Sequence, residues 1–229
     1  MAVAIRLNPK VLPAALALGL LALGIPQTGD SILWQLTGDT PDQPGAASPG
    51  SVPEATHNAV LLERADDWFD DPRARIRAGI LYLRIATTSS DGSAAVSAPE
   101  LDHALDDLRD GLKRAPANAI GWTALAQANL AASDRPGAQA ALLTSLLLDE
   151  HNPEISLWRC ALGLTLWSFL DQDGRRMWNE QVNMAWRRQS MDVVALARQN
   201  PIFALLIRLA LLSDSSRVKD FDSLYNAQH

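Results

Sequence analysis

Apolar side chains recur three and four positions apart through most of the chain after residue 56, the spacing of helices that bury one face. Residues 57–69 place Leu61, Leu62, Ala65 and Trp68 in that register, and residues 73–86 place Ile76, Ile80 and Leu83. Between them, Asp71 and Pro72 read as a cap followed by proline at the first helical position. Beyond a polar insertion at 87–98, the stretch 101–154 nearly repeats itself at a shift of 34 residues: Ala104 answers to Ala138, Leu108 to Leu142, Gly111 to Ser145 and Asn118 to Asn152. A period of that size predicts stacked helical hairpins, because one hairpin cannot bury its own apolar face and its neighbour must cover it. After Pro153 the repeat decays. Residues 155–170 form an apolar run, with Leu157, Trp158, Leu162, Leu166 and Phe169 covering too much of a helix to face water. Further helices are predicted at 174–188, where Trp178, Val182, Ala185 and Trp186 share one side, and at 191–198, 202–212 and 213–226. These last elements read as a divergent cap that closes the open end of the stack. The predicted class is all-α.

In the second copy, Trp122, Leu125 and Ala126 are followed by a polar turn at Ser133 and Asp134, and then by Ala138, Leu142 and Ser145; Pro116 closes the copy before it. This order resembles the tetratricopeptide repeat, whose first helix carries Trp, Leu and a small residue and whose second carries small, large and small residues before a closing proline. Asn129 and Glu150 depart from that pattern, standing where the family has Tyr and Pro. The physical content of the pattern is packing: Ala126, Ala138 and Ser145 let two backbones approach while Trp122 and Leu142 fill the space beside them. The resemblance implies an α-solenoid that holds peptides or helices on the face built from the first helix of each hairpin. Carried over by position, that groove would present Ile120, Thr123, Gln127 and Leu130, joined by Arg77 and Arg84 from the preceding hairpin.

The N-terminus has a different character. Arg6 and Lys10 precede an uninterrupted apolar segment at 11–25, and the first acidic residue is Asp30. A segment of this length suits either a signal-peptide core or a short anchor extended by Ile32, Leu33, Trp34 and Leu36. Residues 1–36 are therefore read as a membrane anchor or signal, and in both cases the remainder of the chain is exported. Pro41, Pro44, Pro49 and Pro53, interleaved with Gly38, Gly45 and Gly50, mark residues 37–56 as a linker. The helical domain is expected at 57–229. Its expected location is the outer side of the inner membrane, tethered by one span, or the periplasm if the N-terminus is cleaved.

Composition narrows the function. The net charge of −6 is spread along the chain, without the basic stripe that nucleic-acid binding requires. Cys160, the one cysteine, lies in an apolar run and suits a small core residue. His57, His103 and His151 are scattered, without the spacing of a zinc site. The sequence has neither a nucleophile elbow nor a phosphate-binding glycine loop. One stretch resembles a metal motif: Asp66, Asp67 and Asp70 repeat the spacing with which isoprenoid synthases hold magnesium and diphosphate. No second acidic motif accompanies it, and Asp70 with Asp71 suits a helix end and cap. The expected function is therefore a non-enzymatic scaffold of the cell envelope that binds another protein, with no cofactor and no metal. The alternative is a structural subunit of an envelope complex for polysaccharide export, secretion or cytochrome maturation. Such a subunit would embed its C-terminal helices in a larger assembly and leave apolar surface exposed around residues 205–212.

Overall fold

The computed structural model describes residues 52–88 and 98–227. These residues are helical, with no strand among them: α1 (Val52–Phe69), α2 (Pro72–Thr88), α3 (Ala98–Arg114), α4 (Ala119–Ala131), α5 (Arg135–Leu148), α6 (Ser156–Thr165), α7 (Gln172–Arg198), α8 (Pro201–Ala210) and α9 (Ser215–Asn226). The predicted anchor and most of the predicted linker lie outside the described residues, as does the centre of the polar insertion. Among the described residues no helix is long and apolar enough to cross a membrane.

Consecutive helices pair, and small residues mark where they touch. Ile76 meets Gly111 while Gly79 meets Leu108 and Ala104, so α2 and α3 run antiparallel. The contact is close: a Cβ at Gly79 would stand 2.8 Å from Leu108 Cγ, and one at Gly111 2.6 Å from Ile76 Cγ1. In α4 and α5 the equivalent crossing is made by Ala126, Ala138 and Ser145, all fully buried. There the Thr123 hydroxyl lies 2.6 Å from Ser145 Oγ, which donates to the Ala119 carbonyl at 2.7 Å. The third pair, α6 and α7, closes on Gly163, whose missing side chain makes room for the Trp178 indole. The first helices of successive pairs also touch, α2 on α4 and α4 on α6. Beyond them α8 and α9 pack on α7.

The helix starts share a chemical device. Asn118, Asp134 and Asp171 each precede a helix and each accept a hydrogen bond from the backbone N–H of a glycine three residues on, Gly121, Gly137 and Gly174, at 2.8, 3.0 and 2.8 Å. Such a cap satisfies one of the donors that every helix N-terminus leaves free. Asp71 does the same for α2, accepting from Arg73 N at 3.0 Å, while Asp70 just before it takes a left-handed backbone at φ 51° to end α1.

The structure corrects several boundaries. Helix α1 begins at Val52, inside the segment expected to be linker, because Pro53 is tolerated in a first turn and Glu54 opposes the positive end of the helix dipole. The asparagine match at the end of the repeat does not carry a common role: Asn118 caps α4, whereas Asn152 accepts from Glu154 N and donates to Asp149, so α6 starts three residues later than the shift requires. The apolar run 155–170 is not one helix. It stops at Thr165 and turns through residues 166–170, where Leu166 and Leu170 stay buried. The helices predicted at 174–188 and 191–198 are two arms of α7, joined without a loop at Gln189, whose φ and ψ of −139° and 47° are not helical.

Candidate docking surface

Of the residues expected to line a groove, Thr123 is not at the surface and the other five are partly exposed. Thr123 is fully buried, with its hydroxyl directed at Ser145 and the Ala119 carbonyl of its own hairpin. Gln127 points toward the next helix pair, where its Oε1 accepts the indole N–H of Trp158 on α6. Ile120 and Leu130 are half-buried against the core. Arg77 and Arg84 lie half-buried on α2, and both already interact with neighbouring groups.

The acidic motif is brought into contact with arginines. Arg75 on α2 binds Asp66 at 2.9 Å, Asp67 at 2.9 Å and Asp107 at 3.2 Å, and Arg114 on α3 binds Asp66 at 2.6 Å, Asp70 at 3.1 Å and Asp110 at 3.0 Å. Burial acts to raise the Asp66 carboxyl, but Arg114 and Arg75 together outweigh it and hold the group below the usual carboxylate range. These contacts make the motif a clamp that ties α1 to α2 and α3. Its carboxylates accept from guanidinium groups where a metal site would direct them at a cation. Among the described residues no cluster of His, Cys, Asp or Glu has the arrangement to hold a metal ion.

A second polar group, which sequence reasoning did not single out, lies at the junction of the second and third pairs. Arg159 is fully buried in the apolar α6. Its guanidinium donates to Ser145 Oγ at 2.8 Å and to the carbonyls of Ser145 and Asp149, each at 2.6 Å. Gln181 Oε1 accepts from it at 3.3 Å, and Gln181 Nε2 in turn donates to the Glu150 carbonyl at 2.6 Å. Burial lowers the Arg159 pKa to about 10, which leaves it protonated at neutral pH. The charge closes the carboxyl end of α5, where backbone carbonyls lack helical partners and the dipole is negative. Next to it, Cys160 is buried, and burial pushes its thiol pKa up, away from thiolate chemistry.

The surface best suited to a partner is at the C-terminal end. On α8, Leu206, Ile207 and Ala210 face inward, while Ile202, Leu205 and Leu209 are 62, 56 and 49% exposed; Leu212, in the turn just beyond the helix, is 55% exposed. The three on α8 are spaced three and four apart, which aligns them as an apolar seam along one side of the helix, and Leu212 continues that exposed surface past its end. The seam borders a groove of about 820 Å³ between α8 and the start of α7, lined by Trp167, Leu170, Arg175, Asn179, Leu206 and Leu209. Arg175 stacks over the Trp167 ring at 5.0 Å and donates to the Trp167 carbonyl at 3.4 Å, which stiffens one wall. The other flank of α8 is tied down by Arg208, whose guanidinium binds Asp222 of α9 at 2.9 Å. The pattern of residues 202–212 marked them as apolar; which of them remain uncovered depends on how α8 seats on α7. Comparison of the chain with protein-family models, curated proteins and solved structures returns no match.

Proposed function

We propose that this chain is a non-enzymatic protein-interaction scaffold of the cell envelope. In this reading it is built from tetratricopeptide-like hairpins, held at the inner membrane or exported through residues 1–36, and it receives a partner helix on α8. Antiparallel pairing of consecutive helices, contacts between successive first helices and the recurrent glycine cap support the repeat reading. The observation that carries the interaction reading is the seam of Ile202, Leu205 and Leu209, continued by Leu212. These four large apolar side chains remain in contact with water unless another surface covers them, and burying each fully is worth roughly 1.5–3 kcal/mol. Such a surface marks a protein contact more often than a feature of an isolated domain. This shifts the contact from the face expected to carry Thr123 and Gln127 to the last helices, as a subunit embedded in a larger assembly requires.

Substitution of both Leu205 and Leu209 by Glu tests the reading. Both sites are exposed, so thermal stability should stay within about 0.5 kcal/mol of the parent, the usual range for surface changes. Co-purification of the native envelope partner with the full-length chain should fall by more than about tenfold, as loss of a buried anchor cluster requires. Charge reversal at Arg77 together with Arg84 is the control, expected to leave recovery unchanged. Unchanged recovery with the α8 variant, or loss confined to the arginine variant, returns the contact to the face of the first helices.

A further inference from the structure

We propose that the partner received on α8 is a second copy of this chain, whose own α8 lies antiparallel on the first across a two-fold axis at the level of Ile207. The proposal rests on the reading of α8 as the docking surface and names what covers it. A two-fold contact between identical copies has to present a surface that matches itself when reversed. The exposed side chains meet that condition: the steps between Ile202, Leu205, Leu209 and, past the helix end, Leu212 are three, four and three. Reversal about position 207 sets Leu205 against Leu209 of the second copy and Ile202 against its Leu212. A chain with another order of steps would leave one of these side chains facing nothing.

The charges point the same way. Arg208 is the one charged residue from 201 to 212, and Asp222 on α9 takes its guanidinium through hydrogen bonds of 2.9 and 3.1 Å. The seam therefore offers no unpaired charge with which to select a different protein. Arg208 stands beside the seam, so the two-fold brings both copies of it to the same flank. Each arrives with its own Asp222, which offsets the repulsion that two bare cations would feel. A lipid surface is the poorer match, because helices that lie on anionic lipid carry lysine and arginine on their polar face. Here the net charge is −6 and the single cation of α8 is already taken. The exposed residues are all aliphatic, and contacts between identical subunits are more apolar than transient ones. The groove between α8 and the start of α7 shares Leu209 with the seam, so the covered surface extends from the helix toward Trp167. That extension brings it toward the roughly 800 Å² per partner of a specific contact.

Two differently tagged forms of the full-length chain, one Ile202→Cys and the other Leu212→Cys, test the pairing when co-expressed and oxidised. The native Cys160 is buried and does not compete. In the antiparallel register the two new thiols meet. Two copies of Ile202→Cys stand about 15 Å apart along the helices, beyond the roughly 7 Å that a disulfide spans between Cα atoms. The mixed covalent dimer should exceed the yield from either variant alone by about tenfold or more. A second pair of forms carries the test if cysteine at 212 disturbs the turn. Leu205→Glu with Leu209→Glu in one copy, and Leu205→Lys with Leu209→Lys in the other, should each fail to pair with themselves, while the mixture recovers one tag with the other. Equal yield from Ile202→Cys alone overturns the pairing, as does the absence of both the mixed dimer and the charge-swapped recovery. If both are absent while a photoreactive probe at Leu205 still joins a different protein, the docking surface stands and the second copy is the wrong occupant. If that adduct is absent too, the surface itself falls.

Discussion

Replacing Arg159 with Met is expected to lower the unfolding free energy by about 3–5 kcal/mol, the range for breaking a buried charged network. The competing effects are both large. Removing the charge relieves a desolvation cost of several kcal/mol, and for a buried ion pair whose two partners are replaced together that relief often wins. Here the partners are the Ser145 and Asp149 carbonyls and the Ser145 hydroxyl, two of which belong to the backbone and remain after substitution. Each orphaned acceptor costs about 1–3 kcal/mol when it cannot reach water, so the loss outweighs the relief. Lys at the same site should recover only part of the difference, because an ammonium is a point charge and cannot present the planar fork that meets acceptors in several directions. Denaturant unfolding of the three proteins reads this order. A change below about 1 kcal/mol for Met, within the range of ordinary surface positions, means that the guanidinium is not a structural cap.

The second large effect is expected at the crossing of α6 and α7. Trp178 is fully buried, donates its indole N–H to the Cys160 carbonyl at 3.0 Å and meets Trp167 edge to face at 5.1 Å. Truncation to Ala should cost about 3–5 kcal/mol through the cavity it leaves. The facing position is the converse case. A Cβ at Gly163 would stand 2.0 Å from Trp178 Cδ1 and 2.4 Å from Nε1, so Gly163→Ala forces the indole or the helix to move and should cost about 1–3 kcal/mol. Combining the two changes reverses the second sign. With Trp178 absent the clash disappears, and Ala at 163 gains the roughly 1 kcal/mol by which alanine exceeds glycine in a helix. A double-mutant cycle by denaturant unfolding should therefore show strong coupling between the two sites. Additive effects at these sites contradict the close crossing.

The parts of this fold that could be read from sequence are those governed by local spacing. The shift of 34 residues located the small residues that the structure buries at the crossings, and Asp71 was recognisable as a cap because its partner N–H is two residues away. Contacts made across long stretches of chain were not legible. Asp66 matched a metal motif because nothing nearby showed that Arg114, 48 residues on, would bind it. Thr123 was misplaced for a different reason. Helix α4 buries eight of its 13 residues, on several sides, so its sequence has no clear outward face from which to choose a groove. Likewise, the pattern at 202–212 marked an apolar element, yet only the seating of α8 decides that Leu206 and Ile207 are covered and that Leu205 and Leu209 are not.

The clamp at Asp66 and the cap at Arg159 fall at two joints of the chain, the first between α1 and the hairpin after it, the second between the α4–α5 and α6–α7 pairs. Both use arginine where packing of small residues leaves polar groups behind. The resulting frame presents α8 at one end with its seam outward. That placement, rather than any reactive group, is what gives the proposed scaffold its working surface.

Site-specific photo-crosslinking in living cells tests that surface most directly. A photoreactive residue at Leu205, and separately at Leu209, in the full-length chain should give one discrete adduct of the same mass. The same probe at the exposed His103, on α3, should not give it. The adduct should disappear when Ile202 and Leu212 are both changed to Glu. Absence of any adduct at Leu205 and Leu209, or the same adduct from all three probe positions, contradicts a partner seated on α8.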